Sequence, residues 1–290
     1  MRPWSALTAV GVALFAWTSA AQLAPVPIEY GARGKPTRVV SLNLCLDQMV
    51  LALADPANVA SVTWLAADPA SSVMAAAAAH ARALNRGFAE EVLPINPDLV
   101  LAGTYTAPFT VQMLRRTGYN VEVLDAPKTL EELRVQVRMV GDLLRERSRA
   151  DAAVAAMDAT LAAAARKPDA PVLRAAMFQP GGFTAGPGSF EHEVLTAAGL
   201  SNIAAEKGIQ FYGFLSLEEL LVLHPDLVVS PEYVPGRPSI GEQILQHPAV
   251  RAAGLRQRVA TVPANLWNCP GLMNAEAVKI LAEARDEIVG

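Results

Sequence analysis

The sequence predicts an α/β chain of two Rossmann-like three-layer αβα lobes, joined by one long helix, with a cleft between the lobes. Three observations carry that prediction. Short apolar runs of the buried parallel-strand type alternate with helix-compatible stretches, this alternation is written twice, and a long alanine-rich segment separates the two halves. With 290 residues and 52% hydrophobic content, the chain carries enough apolar surface for a substantial core.

The first segment reads as an address and not as part of the fold. Arg2 supplies a positive start, Ala6 to Trp17 form a short apolar stretch, and "TSAAQ" offers small residues for cleavage before Gln22. Residues 1–21 are therefore expected to be a secretory signal peptide. The apolar stretch is shorter than the roughly 20 residues a membrane span needs. No cysteine follows the cleavage region, so the mature protein is expected to be soluble and periplasmic, without a lipid anchor, in an oxidising compartment where two cysteines can pair.

After a proline-rich leader come "RVVSL", "NVASV", "PDLVLAG" and "NVEVL", each a strand-like run followed by a polar loop and a helical pattern. The series returns as "VLRAAMFQ", a weaker "NIAAE", "PDLVVS" and "RVATVP". Counting confirms the repetition. "EEVLPINPDLV", from Glu90 to Val100, matches "EELLVLHPDLV", from Glu218 to Val228, at seven of eleven positions with a constant offset of 128. Turn chemistry accounts for the Pro-Asp pair by itself, but not for both glutamates. The lobes are expected at residues 36–145 and 170–290. Between them, residues 146–169 hold the alanine-rich run, which favours helix, with Ser148 placed to cap its start and Pro168 and Pro171 to end it.

In parallel α/β sheets ligands bind beyond the carboxyl ends of the strands. The loops expected there hold Asn43, Cys45, Trp64, Tyr105, Phe183, Phe211, Tyr212, Tyr233 and Trp267, a concentration for a chain only 6% aromatic. Gathered on two facing rims, they suit a ligand that is large and partly apolar.

The chain resembles the periplasmic substrate-binding proteins of ABC importers for iron chelates and cobalamin. The resemblance spans nearly all of the mature chain and rests on "RVVSLNLCLDQMVLALA", on "INPDLVLAG" followed by "LRRTGYNVEVLDAPKTLEEL", and on "GPGSFEHEVLTAAGLSNIA" with "LSLEELLVLHPDLVV". It implies a monomer that captures a siderophore, a haem-like compound or a cobalamin-type compound and delivers it to an ABC permease in the inner membrane, with no cofactor and no catalysis. It also implies docking to permease arginines through one glutamate per lobe, by position Glu90 and Glu218, and so gives the internal repeat a reason. Anionic ferric chelates are bound by arginines in that family; here Arg237 is the clearest in the cleft loops.

Other classes fit poorly. The net charge of −4 lacks the basic footprint of a nucleic-acid partner. There is no G-x-S-x-G elbow, no H-E-x-x-H and no P-loop lysine. A periplasmic enzyme and a free transition-metal binder are the alternatives. Of four histidines, His224 and His247 precede prolines, and the consecutive residues Glu191, His192 and Glu193 would point in different directions on a helix. No metal site is expected. "GGFTAGPGS" reads as a turn that lets backbone approach a ligand. The two cysteines, Cys45 and Cys269, admit three readings: an interlobe disulfide, packed free thiols, or thiolates meeting the metal of a chelate.

Overall fold

The computed structural model describes residues 34–233 and 242–290. The expected signal peptide and Arg237 lie outside them. One sheet is built from β1 (Val39–Ser41), β2 (Val59–Thr63), β3 (Ala83–Asn85), β4 (Leu99–Gly103) and β5 (Val121–Leu124), in the order β3-β2-β1-β4-β5. A second contains β6 (Arg174–Met177), β8 (Ser201–Asn202), β10 (Leu227–Glu232) and β11 (Val259–Pro263), in the order β11-β10-β6-β8. All their strand pairs are parallel. A separate antiparallel ribbon pairs β7 (Phe183–Ala185) with β9 (Tyr212–Phe214).

The helices are α1 (Leu44–Leu53), α2 (Ala75–Ala78), α3 (Ala89–Val92), α4 (Pro108–Arg116), α5 (Leu130–Leu144), α6 (Arg147–Ala163), α7 (Phe190–Ala197), α8 (Ile203–Glu206), α9 (Leu217–Leu223), α10 (Pro248–Ala252) and α11 (Asn274–Val289). Their starts follow capping chemistry. The side chains of Asn43, Thr129, Ser189 and Ser216 accept backbone N–H groups that the first turns of α1, α5, α7 and α9 leave without intrahelical partners.

Period-two alternation along the strands divides the core. Val39 of β1 and Leu99 and Leu101 of β4 face one cluster, whereas Val40, Val100 and Ala102 face another. In the second sheet Ala175, Met177, Leu227 and Val229 join the first of these clusters, and Ala176 and Val228 face a third. The inner faces of both sheets thus pack on one shared body of helices that includes Met49, Val137, Met157, Leu195 and Leu281. Each lobe has a private cluster only on its outer face.

The connecting helix α6 differs in detail from its sequence reading. It starts at Arg147 after Glu146, which makes no side-chain cap, and Ser148 lies within the first turn. Arg149 fastens its start by donating to the carbonyl oxygens of Leu53 and Ala54 at the end of α1. Buried Arg285 of α11 fastens its end, donating to Ala164 O and Ala198 O. "NIAAE" also differs: only Asn202 belongs to a strand, and its side chain caps α8, turning the rest into helix.

The repeat has a structural meaning in both lobes. Arg38 N–H donates to the Asp98 carboxylate at 2.9 Å, and Asp98 N–H donates back to Arg38 O. In the second lobe Arg174 N–H donates to Asp226, the offset partner of Asp98, at 2.9 Å, and Asp226 N–H returns to Arg174 O. Each Pro-Asp pair therefore pins the entry of β4 or β10 to the neighbouring strand, after a residue, Asn96 or His224, in the left-handed region.

Candidate ligand-binding cleft

The strand orders locate the crevice in each sheet. From β1 the chain builds outward through β2 and β3, then crosses to β4 and β5 on the other side, so the switch falls between β1 and β4. In the second sheet it falls between β6 and β10. The expected site residues lie at or after the carboxyl ends of these strands or on the adjoining ribbon.

Asn43 follows β1 and sits across the first switch point. Its side-chain oxygen accepts from Cys45 N and Leu46 N, while its nitrogen donates to Thr106 Oγ1 at 3.0 Å. Both ends of the amide are engaged in tying the start of α1 to the β4–α4 loop. In that loop Tyr105 is 95% exposed. Trp64, directly after β2, is half exposed. Tyr233, directly after β10, is also exposed.

On the second lobe the ribbon makes an aromatic face. The Phe183 and Tyr212 rings stack at 5.5 Å between centroids, and Phe214 meets Phe183 edge-on at 5.9 Å. Tyr212 and Phe214 remain largely exposed. The Tyr212 hydroxyl donates to Glu191 Oε2 at 3.4 Å. Burial pushes the Glu191 carboxyl above its ordinary pKa, and burial together with that nearby acid raises Tyr212. The glycines of "GGFTAGPGS" serve this face from within the protein. A Cβ at Gly182 or Gly186 would run into the backbone carbonyl of Leu215 or Ile209, so these glycines let the β9 segment close on the loop.

At the seam between the lobes Cys45 and Cys269 form a disulfide, with Cα atoms 5.1 Å apart. Asn265 and Asn268 add hydrogen bonds to Pro69 O and Ser71 O, each at 3.0 Å. Trp267 lies between these asparagines, packed against the shared core, and its buried indole N–H has no partner among the described residues.

An acid in the first turn of a helix ordinarily compensates the helix dipole. Asp47 stands in the first turn of α1, but it is fully buried and accepts from the backbone N–H and hydroxyl of Thr63. Helical spacing carried the signal, since Asp47 shares a face with buried Val50 and Ala54. Phe214 also escaped singling out, although strand alternation places it on the same side of β9 as Tyr212.

Among the described residues no group of three His, Cys, Asp or Glu side chains is placed to hold a metal ion. His192 Nδ1 accepts from Asn202, His224 Nε2 donates to Ala253 O, and His247 Nδ1 accepts from Ala249 N. No described helix is long and apolar enough to cross a membrane.

Two parallel sheets on a shared helical body, with aromatic loops at their carboxyl ends, define a two-lobed α/β binding protein. The chain belongs to the periplasmic binding protein family, whose model matches residues 39–266. It is 31% identical over 204 residues to a "Cobalamin-binding protein" of Halobacterium salinarum, covering 68% of this chain and 54% of that one. The chain thus spans about half the length of that curated relative. Among solved structures it resembles a periplasmic heme-binding protein from Roseiflexus sp. RS-1, with a TM-score of 0.70 and 22% identity over 89% of this chain and 100% of that chain. It also resembles the periplasmic vitamin B12 binding protein of Vibrio cholerae, with a TM-score of 0.63 and 19% identity over 87% of this chain and 98% of that one.

Proposed function

We propose that the protein captures a metal chelate in the periplasm, with a corrinoid as the leading ligand, and hands it to an ABC permease without a catalytic step. Residues 1–21 serve for export, 36–145 and 170–290 form the capturing lobes, and 146–169 connect them. The carrying observation is the stacked face of Phe183 and Tyr212, with Trp64, Tyr105 and Tyr233 on the other strand-end loops. Rings of this kind offer apolar area to a large macrocycle at little cost in side-chain entropy. The ionisable partner beneath that face is an acid, Glu191. An acid there disfavours carboxylate-rich ferric chelates and suits a ligand bearing neutral amides. The cobalamin-binding relative supports the same choice.

Titrating the purified protein with aquocobalamin, hemin and a ferric catecholate while following tryptophan fluorescence tests this reading. Strong quenching by the corrinoid alone is expected. Preferential quenching by hemin would transfer the site to haem-type ligands, and a chemically altered ligand would favour an enzyme.

A further inference from the structure

Beside the disulfide lies a small cavity of about 40 Å³, walled among others by Gln48 and Met49 of α1, Met74 ahead of α2, and Cys269 and Met273 ahead of α11. Three of the chain's eight methionines thus meet at one place, drawn from three separate segments and from both lobes. The walls are almost wholly apolar. Gln48 is the polar side chain among them, and its nitrogen is buried without a hydrogen-bond partner.

The volume admits one water or one ion and excludes an organic ligand. A trapped water needs about two to four polar partners, which these walls do not supply. Thioethers are weak hydrogen-bond acceptors but good ligands for soft cations. We propose that this cavity is a binding site for a soft monovalent cation, Cu(I) or Ag(I), held by the thioether sulfurs of Met49, Met74 and Met273. The Gln48 amide can present its oxygen to the same space by a half-turn, because its two ends are nearly equal in shape. The disulfide stays intact, so binding involves no redox step. Met49 and Met74 belong to the first lobe and Met273 to the second, so the ion ties the lobes together next to the covalent bridge.

Ag(I), added as the nitrate in chloride-free buffer, is the probe, and a thiol assay verifies that the disulfide persists. One equivalent is expected to bind and to raise the melting temperature. The Met74→Leu/Met273→Leu variant keeps the side-chain volume, and its melt without silver reports its folding. It is expected to bind Ag(I) at least about tenfold more weakly, while Met113→Leu, at an exposed position on α4, binds like the native protein. Absence of a one-equivalent complex with the native protein overturns the proposal. So does equal affinity in the double variant, or binding that arises only after reduction, which would place the metal on cysteine thiolates.

Discussion

The Asp47 carboxylate accepts two hydrogen bonds from Thr63, from its backbone N–H at 3.1 Å and its hydroxyl at 2.5 Å, and Thr63 directly precedes Trp64. One acid on α1 therefore sets where the Trp64 loop leaves β2. Burial pushes its pKa up from 3.8 to about 7, against hydrogen bonds from Ser41 and Thr63 that favour the charged form. The folded protein holds this proton more tightly than the unfolded chain does. Its contribution to stability is thus full below about pH 4 and is lost as pH rises through about 7. Denaturant melts between those values are expected to show the loss, and Asp47→Asn to flatten it. An unchanged slope in the variant would assign the dependence to other groups.

Asp98 works in the opposite direction. Burial opposes its charge, but the N–H groups of Thr37 and Arg38, the Thr37 hydroxyl and the Arg38 charge outweigh it and lower the pKa. Its stabilising effect is present above its ordinary pKa near 3.8 and disappears as pH falls further. Asp98→Ala is expected to cost about 1–3 kcal/mol at neutral pH, because it strips partners from backbone N–H groups at the start of β1. Equal melting temperatures for variant and native protein at pH 7 would remove Asp98 from the strand entry.

The Cys45–Cys269 bridge spans 224 positions. Loop entropy gives such a tie a stabilisation of about 2–5 kcal/mol. Labelling of the denatured, unreduced protein is expected to find no free thiol, and Cys45→Ser/Cys269→Ser to lower the denaturation midpoint accordingly. Because the inner faces of both sheets share one core, the variant is expected to unfold in a single transition. Two resolved transitions would show that the covalent bridge, and not the shared core, couples the lobes.

Two tryptophans at the strand ends are expected to behave differently. Trp64→Ala removes a half-exposed ring and should weaken corrinoid binding by about 2 kcal/mol with little change in stability. Trp267→Phe keeps an aromatic ring against the core and deletes an indole N–H that lacks a partner, so its melt should match the native one or exceed it. A Trp64 variant with native affinity would take that ring out of the site.

The paired glutamates supply a test of docking. Glu90 and Glu218 are exposed in the first turns of α3 and α9, while their neighbours Glu91 and Glu219 turn back to cap those turns. Reversing both exposed acids to lysine is expected to leave ligand affinity intact and abolish stimulation of the permease's ATPase. Normal transport by the double variant would leave them as solvated helix residues.

Much of the architecture could be read locally. Alternation in "RVVSL" and "PDLVLAG" marks strands because neighbouring side chains on a strand must point to opposite faces, and the Pro-Asp repeat marks matching strand entries 128 positions apart. The positions of Trp64, Tyr105 and Tyr233 after strands followed from the same reading. The partners of those elements did not. That Asp47 would be sealed under Thr63, that the glycines of "GGFTAGPGS" would receive β9, and that Met49, Met74 and Met273 would share a cavity all depend on which faces meet across long stretches of chain.

The sequence by itself determined the α/β class, the duplication, the connecting helix and the loops that carry aromatic rings, because strand period, helix propensity and capping act over a few residues. Only the tertiary structure decided that the two lobes share one inner core and that Cys45 lies opposite Cys269. The reason is physical: local preferences say which side of an element is apolar, but burial of that side is satisfied by any well-shaped neighbour, and the choice among neighbours is made by packing of the whole chain.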